Sequence, residues 1–168
     1  MDNRKKLYNK LDKFIRKYYL NQLIRGGILT LLSLLILFIF ISILEYYMNF
    51  DVVLRTFLFW SYIIINGVII SKFIISPILQ LLKIRKGIKY KDAAKIIGNH
   101  FKEIDDKLLN LLELAEMNQD NDLIHASIEQ KTASISPVPV LNAINFKTNI
   151  KKSNWLLIPF VLLFILFI

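Results

Sequence analysis

Cysteine is absent from this chain, which removes disulfides and thiolate metal sites from consideration. Glycine is scarce, with five in 168 residues, and proline scarcer at four. So little glycine leaves no Gly-rich loop to cradle a phosphate. Neither a nucleophile elbow nor a zinc-protease His-Glu pair occurs, and the histidines are His100 and His125 alone. Acidic residues are outnumbered, 13 against 22 Lys and Arg, for a net charge of +9. On a soluble fold with a basic patch, that balance would suggest nucleic acid. Here the bases flank long apolar runs instead, so nucleic acid is set aside and anionic lipid headgroups become the expected counterpart.

What the chain does have is apolar length. Its residues are 55% hydrophobic, with twelve Phe and a mean hydropathy of +0.47. The excess lies in blocks, which points to membrane spans and not to one large core. "GGILTLLSLLILFIFISIL", Gly26 to Leu44, is uncharged. As a helix it would reach about 28 Å, close to the hydrocarbon thickness of a bilayer. "EYYMNFD", residues 45–51, reads as a turn at the far interface, and a second span is expected over 52–75. Arg55 and Lys72 fall near its ends, within snorkelling reach of headgroups. Ser76-Pro77 follows. A last block, "WLLIPFVLLFILFI" from Trp155 to Ile168, is short for a crossing and reads as the start of a third span in a longer polypeptide.

Orientation follows from charge. Eight bases precede the first span (Arg4, Lys5, Lys6, Lys10, Lys13, Arg16, Lys17 and Arg25), and none lies in the turn at 45–51. Lys83, Arg85, Lys86, Lys89 and Lys91 follow the second span. The positive-inside rule therefore places the N-terminus and residues 83–153 in the cytoplasm. A cleavable signal peptide is not expected, because the basic segment and the apolar run are both too long and no small-x-small site follows.

Within residues 1–25, Leu7, Leu11, Phe14 and Tyr18 recur at helical spacing, bordered by Lys6, Lys10, Lys13 and Lys17. Such a helix suits the headgroup layer, apolar side down, with Tyr18 and Tyr19 at the boundary. The alternative is a solvated helix that simply leads into the span. Residues 83–153 carry three amphipathic sets: Tyr90, Ala94, Ile97 and Phe101; Ile104, Leu108, Leu111 and Ala115; and Ile124, Ile128 and Ile135. Asn121 or Asp122 could cap the third helix. These three short helices form a small bundle, or dock on the membrane or a partner. "SISPVPVLNAIN", 134–145, reads as a plain extended linker broken by Pro137 and Pro139.

The one dense cluster of chemistry-bearing side chains is "NHFKEIDD", with His100, Glu103, Asp105 and Asp106. His100 and Glu103 on one helix could share a metal with the two aspartates. Gly98-Asn99 reads as a helix end, however, and aspartates at the start of a following helix are accounted for by its exposed N–H groups and dipole. The joint reading is preferred, so no catalytic, metal or cofactor residue is assigned. Asn66 is the most polar mid-span residue, and a hydrogen bond across the helix pair is its expected role. No ionisable residue lies near mid-span, which argues against a proton relay or ion pump.

"DKFIRKYYLNQLIRG", "FLFW", "PILQLLKIRKGIKYKDAAKIIGNHF" and "DKLLNLLEL" together resemble the N-terminal region of large bacterial membrane proteins of unknown function, chiefly from Bacteroidetes. The resemblance spans essentially the whole chain. It implies two spans, a cytoplasmic helical insert and a third span, ahead of a long extracytoplasmic part rich in coiled coil. It supplies no reaction, and His100 acquires no role from it.

The expectation is thus an all-α membrane protein of four parts: a basic interfacial helix (1–25), a transmembrane helical hairpin (26–82), a cytoplasmic helical insert (83–153) and the beginning of a third span (154–168). Its expected role is a non-enzymatic anchor or scaffold in the bacterial inner membrane. The helices of the insert would dock a protein partner or a second copy, or pack against their own membrane base, through Ile97, Phe101, Leu108 and Leu111. The alternatives are a transport or channel subunit using Asn66, and an acid/base or metal site at 100–106.

Overall fold

The computed structural model describes residues 2–116, 130–132, 135 and 138–166. Every regular element among them is helical. These are α1 (Asp2–Met48), α2 (Val52–Ile70), a π-helical turn (Ser71–Ile75), α3 (Ser76–Leu81), α4 (Tyr90–His100), α5 (Asp105–Glu116), α6 (Lys147–Ser153) and α7 (Leu157–Leu166), with 3-10 turns at Val140–Ala143 and Asn154–Leu156. The chain divides into two compact units. One joins Met1–Tyr18 to Lys86–Asn145, and the other joins Tyr19–Arg85 to Phe146–Ile168.

α1 runs unbroken through a stretch where the sequence suggests an interfacial helix followed by a span. Gly26-Gly27 costs about 1 kcal/mol per glycine relative to alanine. That is too little to stop an established helix, in which each further residue closes a hydrogen bond. The helix also takes in Glu45 to Met48, so the connection expected over 45–51 shrinks to Asn49–Asp51. Asn49 ends the helix in the left-handed conformation that Asn tolerates, φ 44°, and its N–H returns to the Glu45 carbonyl at 3.0 Å. Asp51 opens α2 by accepting the Leu54 N–H at 3.1 Å.

α1 and the α2–α3 run hold the helices long and apolar enough to cross a membrane, Lys5–Met48 and Val52–Leu81, and their apolar parts lie in the second unit. Contacts between them are described at three levels. A Cβ on Gly26 would sit well inside contact distance of the Phe73 carbonyl oxygen and 3.0 Å from its carbon. The Tyr62 hydroxyl donates to the Leu34 carbonyl at 3.4 Å, and Arg55 Nε lies 3.0 Å from Glu45 Oε1. Phe73 belongs to the π-helical turn just before Pro77. Proline has no N–H for the carbonyl four residues back, and its ring crowds that group. Here that carbonyl is Phe73's, and Gly26 of α1 lies against it.

The first unit has its own core. Leu7, Leu11 and Phe14 of α1 are buried with Ala93, Ala94 and Ile97 of α4, and with Ile104, Leu108, Leu111, Leu112 and Ala115 at and along α5. Each large side chain removed from water in this way is worth roughly 1.5–3 kcal/mol. The apolar side of the N-terminal helix, expected to face headgroups, is therefore covered by protein. The small Ala93 and Ala94 let a neighbouring helix come close, and the helix belongs with the insert and not apart from it. Ile97, Leu108 and Leu111 are equally enclosed, and Phe101 packs against the same cluster. They serve the unit's own core, packed on the first turns of α1.

Two further boundaries change. The stretch read as a plain linker contributes Ile135, Val140 and Ile144 to this core, with Val140–Ala143 wound into a 3-10 turn. Lys17 Nζ donates to the Leu141 carbonyl at 2.7 Å. Pro139 forbids α-helix there without preventing the chain from packing. Of the third amphipathic set, Ile135 is buried, while Ile124, Ile128, His125 and the caps Asn121 and Asp122 lie outside the described residues. The apolar C-terminal block begins with a 3-10 turn and continues as α7, ten residues long.

Candidate functional site

α4 continues to His100, one residue past the end expected at Gly98-Asn99; Gly98 is buried within the helix. Phe101 then leaves helical geometry, its N–H bonded to the Ile97 carbonyl at 2.9 Å, and α5 starts at Asp105. His100 and Glu103 thus sit on opposite sides of a chain break and do not share a helix. Both are exposed, as is Asp106, and the ring contact recorded for His100 is the edge of Phe101, 4.8 Å between centroids. Buried Ile104 occupies the joint itself, donating its N–H to the Phe101 carbonyl at 3.0 Å. Among the described residues, no group of three His, Cys, Asp or Glu comes together. The side chain of Asp105 lies outside the described part.

Asn66 is buried, but its Nδ2 donates to the Tyr62 carbonyl one turn back, at 2.8 Å. The expected bond to the other helix is made instead by Tyr62, whose hydroxyl is long enough to reach Leu34. Asn66 Oδ1 and Thr30 Oγ1 are both buried without a hydrogen-bond partner among the described residues.

In the first unit, the titration of Tyr90 is displaced. Burial pushes its phenol above the ordinary value near 10, helped by its hydrogen bond to Asp12 and that carboxylate's charge, with Tyr8 adding to them. Its hydroxyl donates to Asp12 Oδ1 at 3.1 Å, and its ring meets Tyr8 edge-on at 5.0 Å. This cluster ties α4 to α1.

The second unit holds a cavity of about 320 Å³ that the sequence does not announce. Arg25, Ile28, Leu29 and Leu32 of α1 form one wall; Asn149, Lys152 and Trp155 form the other. The α1 residues share a face, at spacings of three, one and three. Asn149 is buried, and its Nδ2 donates to Asn21 Oδ1 at 2.7 Å and to the Asn21 carbonyl at 3.3 Å. This polar clamp sets α6 against α1. One turn beyond it on each helix stand Lys152 and Arg25, both exposed. Among the described residues neither has an acidic partner. The sequence pattern marks Arg25 only as one of eight flanking bases. Its pairing with Lys152, more than a hundred residues on, depends on a clamp between two asparagines that no local periodicity reveals.

A second cavity, about 550 Å³, is lined by Phe38, Ser42, Tyr46 and Tyr47 of α1 and by Leu163 and Ile165 of α7. It carries no charged side chain. Comparison with known protein families, curated proteins and solved structures finds no match to this chain.

Proposed function

We propose that the chain is the multi-pass membrane base of a larger bacterial envelope protein. It would anchor that protein in the inner membrane through a helical hairpin and present a helical unit to the cytoplasm. The observation that carries this reading is exposure: Phe38, Phe40, Phe57, Trp60 and Ile64 all stand open on the two long helices. Water does not tolerate so continuous an apolar surface, whereas lipid does. The Gly26–Phe73, Leu34–Tyr62 and Glu45–Arg55 contacts support an antiparallel hairpin, since the residue number falls on one helix as it rises on the other. The cytoplasmic helices act by packing on the first turns of α1. The acid/base alternative has no convergent geometry among the described residues.

Topology and mass test this directly. Because the chain lacks cysteine, Asn49→Cys and Asn99→Cys each introduce a single thiol without further engineering. A membrane-impermeant maleimide should label Asn49→Cys in intact spheroplasts and Asn99→Cys only after lysis. Equal labelling of both before lysis would remove the two-span topology. An immunoblot of native membranes should also show a band far above the 19.7 kDa of this chain. A band at that mass would refute the anchor role and favour a small transport subunit.

A further inference from the structure

We infer that the cavity between α1 and α6 is a binding site for one anionic phospholipid of the cytoplasmic leaflet, its phosphate held between Arg25 and Lys152. The inference rests on the membrane reading above and adds to it a defined site with a defined ligand class. Chemistry changes along one wall in the order an amphiphile requires. Asn21 and Arg25 are polar and cationic, and one turn further Ile28, Leu29 and Leu32 are apolar, on the same face of α1. The opposite wall repeats the order with Asn149, Lys152 and then Trp155. Arg25 is the last charge before the uncharged run from Gly26 to Leu44, and Lys152 the last before the apolar block that starts at Trp155. Both cations therefore stand at the same boundary between charged and apolar chain.

An anion fits this place because two cations face it and no carboxylate lines it. Arg offers a planar fork of donors to phosphate oxygens, and Lys a mobile point charge. A free polar anion would leave Ile28, Leu29, Leu32 and the exposed indole of Trp155 unused, whereas an acyl chain covers them. Tryptophan at such a level presents its ring to the chain and its N–H to the headgroup region. The Asn149–Asn21 clamp fixes the spacing of the two cations before any lipid arrives, so little ordering cost falls on the binding step.

The test uses the full chain in phosphatidylcholine vesicles with a Trp60→Phe change, which leaves Trp155 as the only tryptophan. Phosphatidylglycerol brominated on its acyl chains, added as a minor component, should quench Trp155 far more than brominated phosphatidylcholine at the same fraction. Arg25→Gln or Lys152→Gln should each reduce that preference about fivefold, the effect of one cation near an anionic surface. Co-flotation with vesicles should stay unchanged in both variants. Equal quenching by the two brominated lipids, in a chain that still floats with the vesicles, overturns the lipid site and leaves the membrane reading standing. Failure to float at all would refute the membrane reading itself. Quenching relieved by inorganic phosphate, but not by sodium chloride of equal ionic strength, assigns the cations to free phosphate and overturns the lipid assignment.

Discussion

The two ends of α1 carry similar apolar residues to opposite fates. Phe14 is completely buried, whereas Phe40, on the same helix, is 58% exposed. The difference lies in what surrounds each segment. Around Phe14 the apolar stripe is narrow, lysines border it, and α4 and α5 supply matching faces that exclude water. Around Phe40 nearly every position is apolar and most of the surface has no protein against it. A narrow stripe asks for one protein partner. An all-round apolar helix asks for a solvent that is itself apolar.

The largest effect that separates the two segments should come from truncating each phenylalanine. Phe14→Ala removes a fully enclosed ring and should destabilise the first unit by about 3–5 kcal/mol, seen as a lower thermal midpoint and faster proteolysis between α4 and α5. Phe40→Ala should change the same readouts by less than about 1 kcal/mol. If both cost the same, the contrast between the ends of α1 fails.

A smaller effect should appear at the glycine pair. Gly26→Ala drives a methyl group into the Phe73 carbonyl. Backbone cannot step aside as a flexible side chain would, so overpacking of about 1–3 kcal/mol is expected. Gly27→Ala meets open space and should gain up to about 1 kcal/mol from helix propensity. Thermal denaturation of the two variants in detergent, compared with the parent chain, reads both signs.

The subtlest prediction concerns alkaline pH and the first unit. Tyr90 binds its proton more tightly when folded. Its contribution to stability is therefore complete below the ordinary tyrosine value of about 10, and is lost as pH rises through the folded value. Tyr90→Phe should abolish that component of the alkaline fall while leaving the other titrations in place. An unchanged pH profile in the variant would show that Tyr90 does not hold its proton more tightly in the folded chain.

Helix identity was largely legible in the sequence because it is local. Leu7, Leu11 and Phe14 announce a helical face by spacing alone, as do Ala94, Ile97 and Phe101. What covers a face is not local. A basic amphipathic helix offers the same stripe to headgroups and to protein, and the alanines that decide between them lie some 80 residues on. Pro139 leads into a 3-10 turn and not an α-helix, yet proline content says nothing about whether Val140 and Ile144 find a core. At the 100–106 cluster the spacing of His100 and Glu103 would matter only on a shared helix. The break at Phe101 removes that condition. The Arg25–Lys152 pair stayed invisible for the opposite reason: neither residue is unusual until Asn149 and Asn21 bring the two helices together.

The π-helical turn at Ser71–Ile75 also has a bearing on how this chain could change length. A turn closed by bonds to the fifth residue back holds one more residue than an α-helical turn, and each residue advances a helix by about 100°. Deleting a single residue from this segment would let α2 and α3 merge into one regular helix. Pro77 would keep the side it now occupies, because the wide turn already absorbs the extra residue; a deletion elsewhere in the helix would rotate Pro77 by that angle. The turn is thus a phase adjuster. It absorbs the proline on one side and sets the azimuth at which the basic segment after Leu81 leaves the helix on the other.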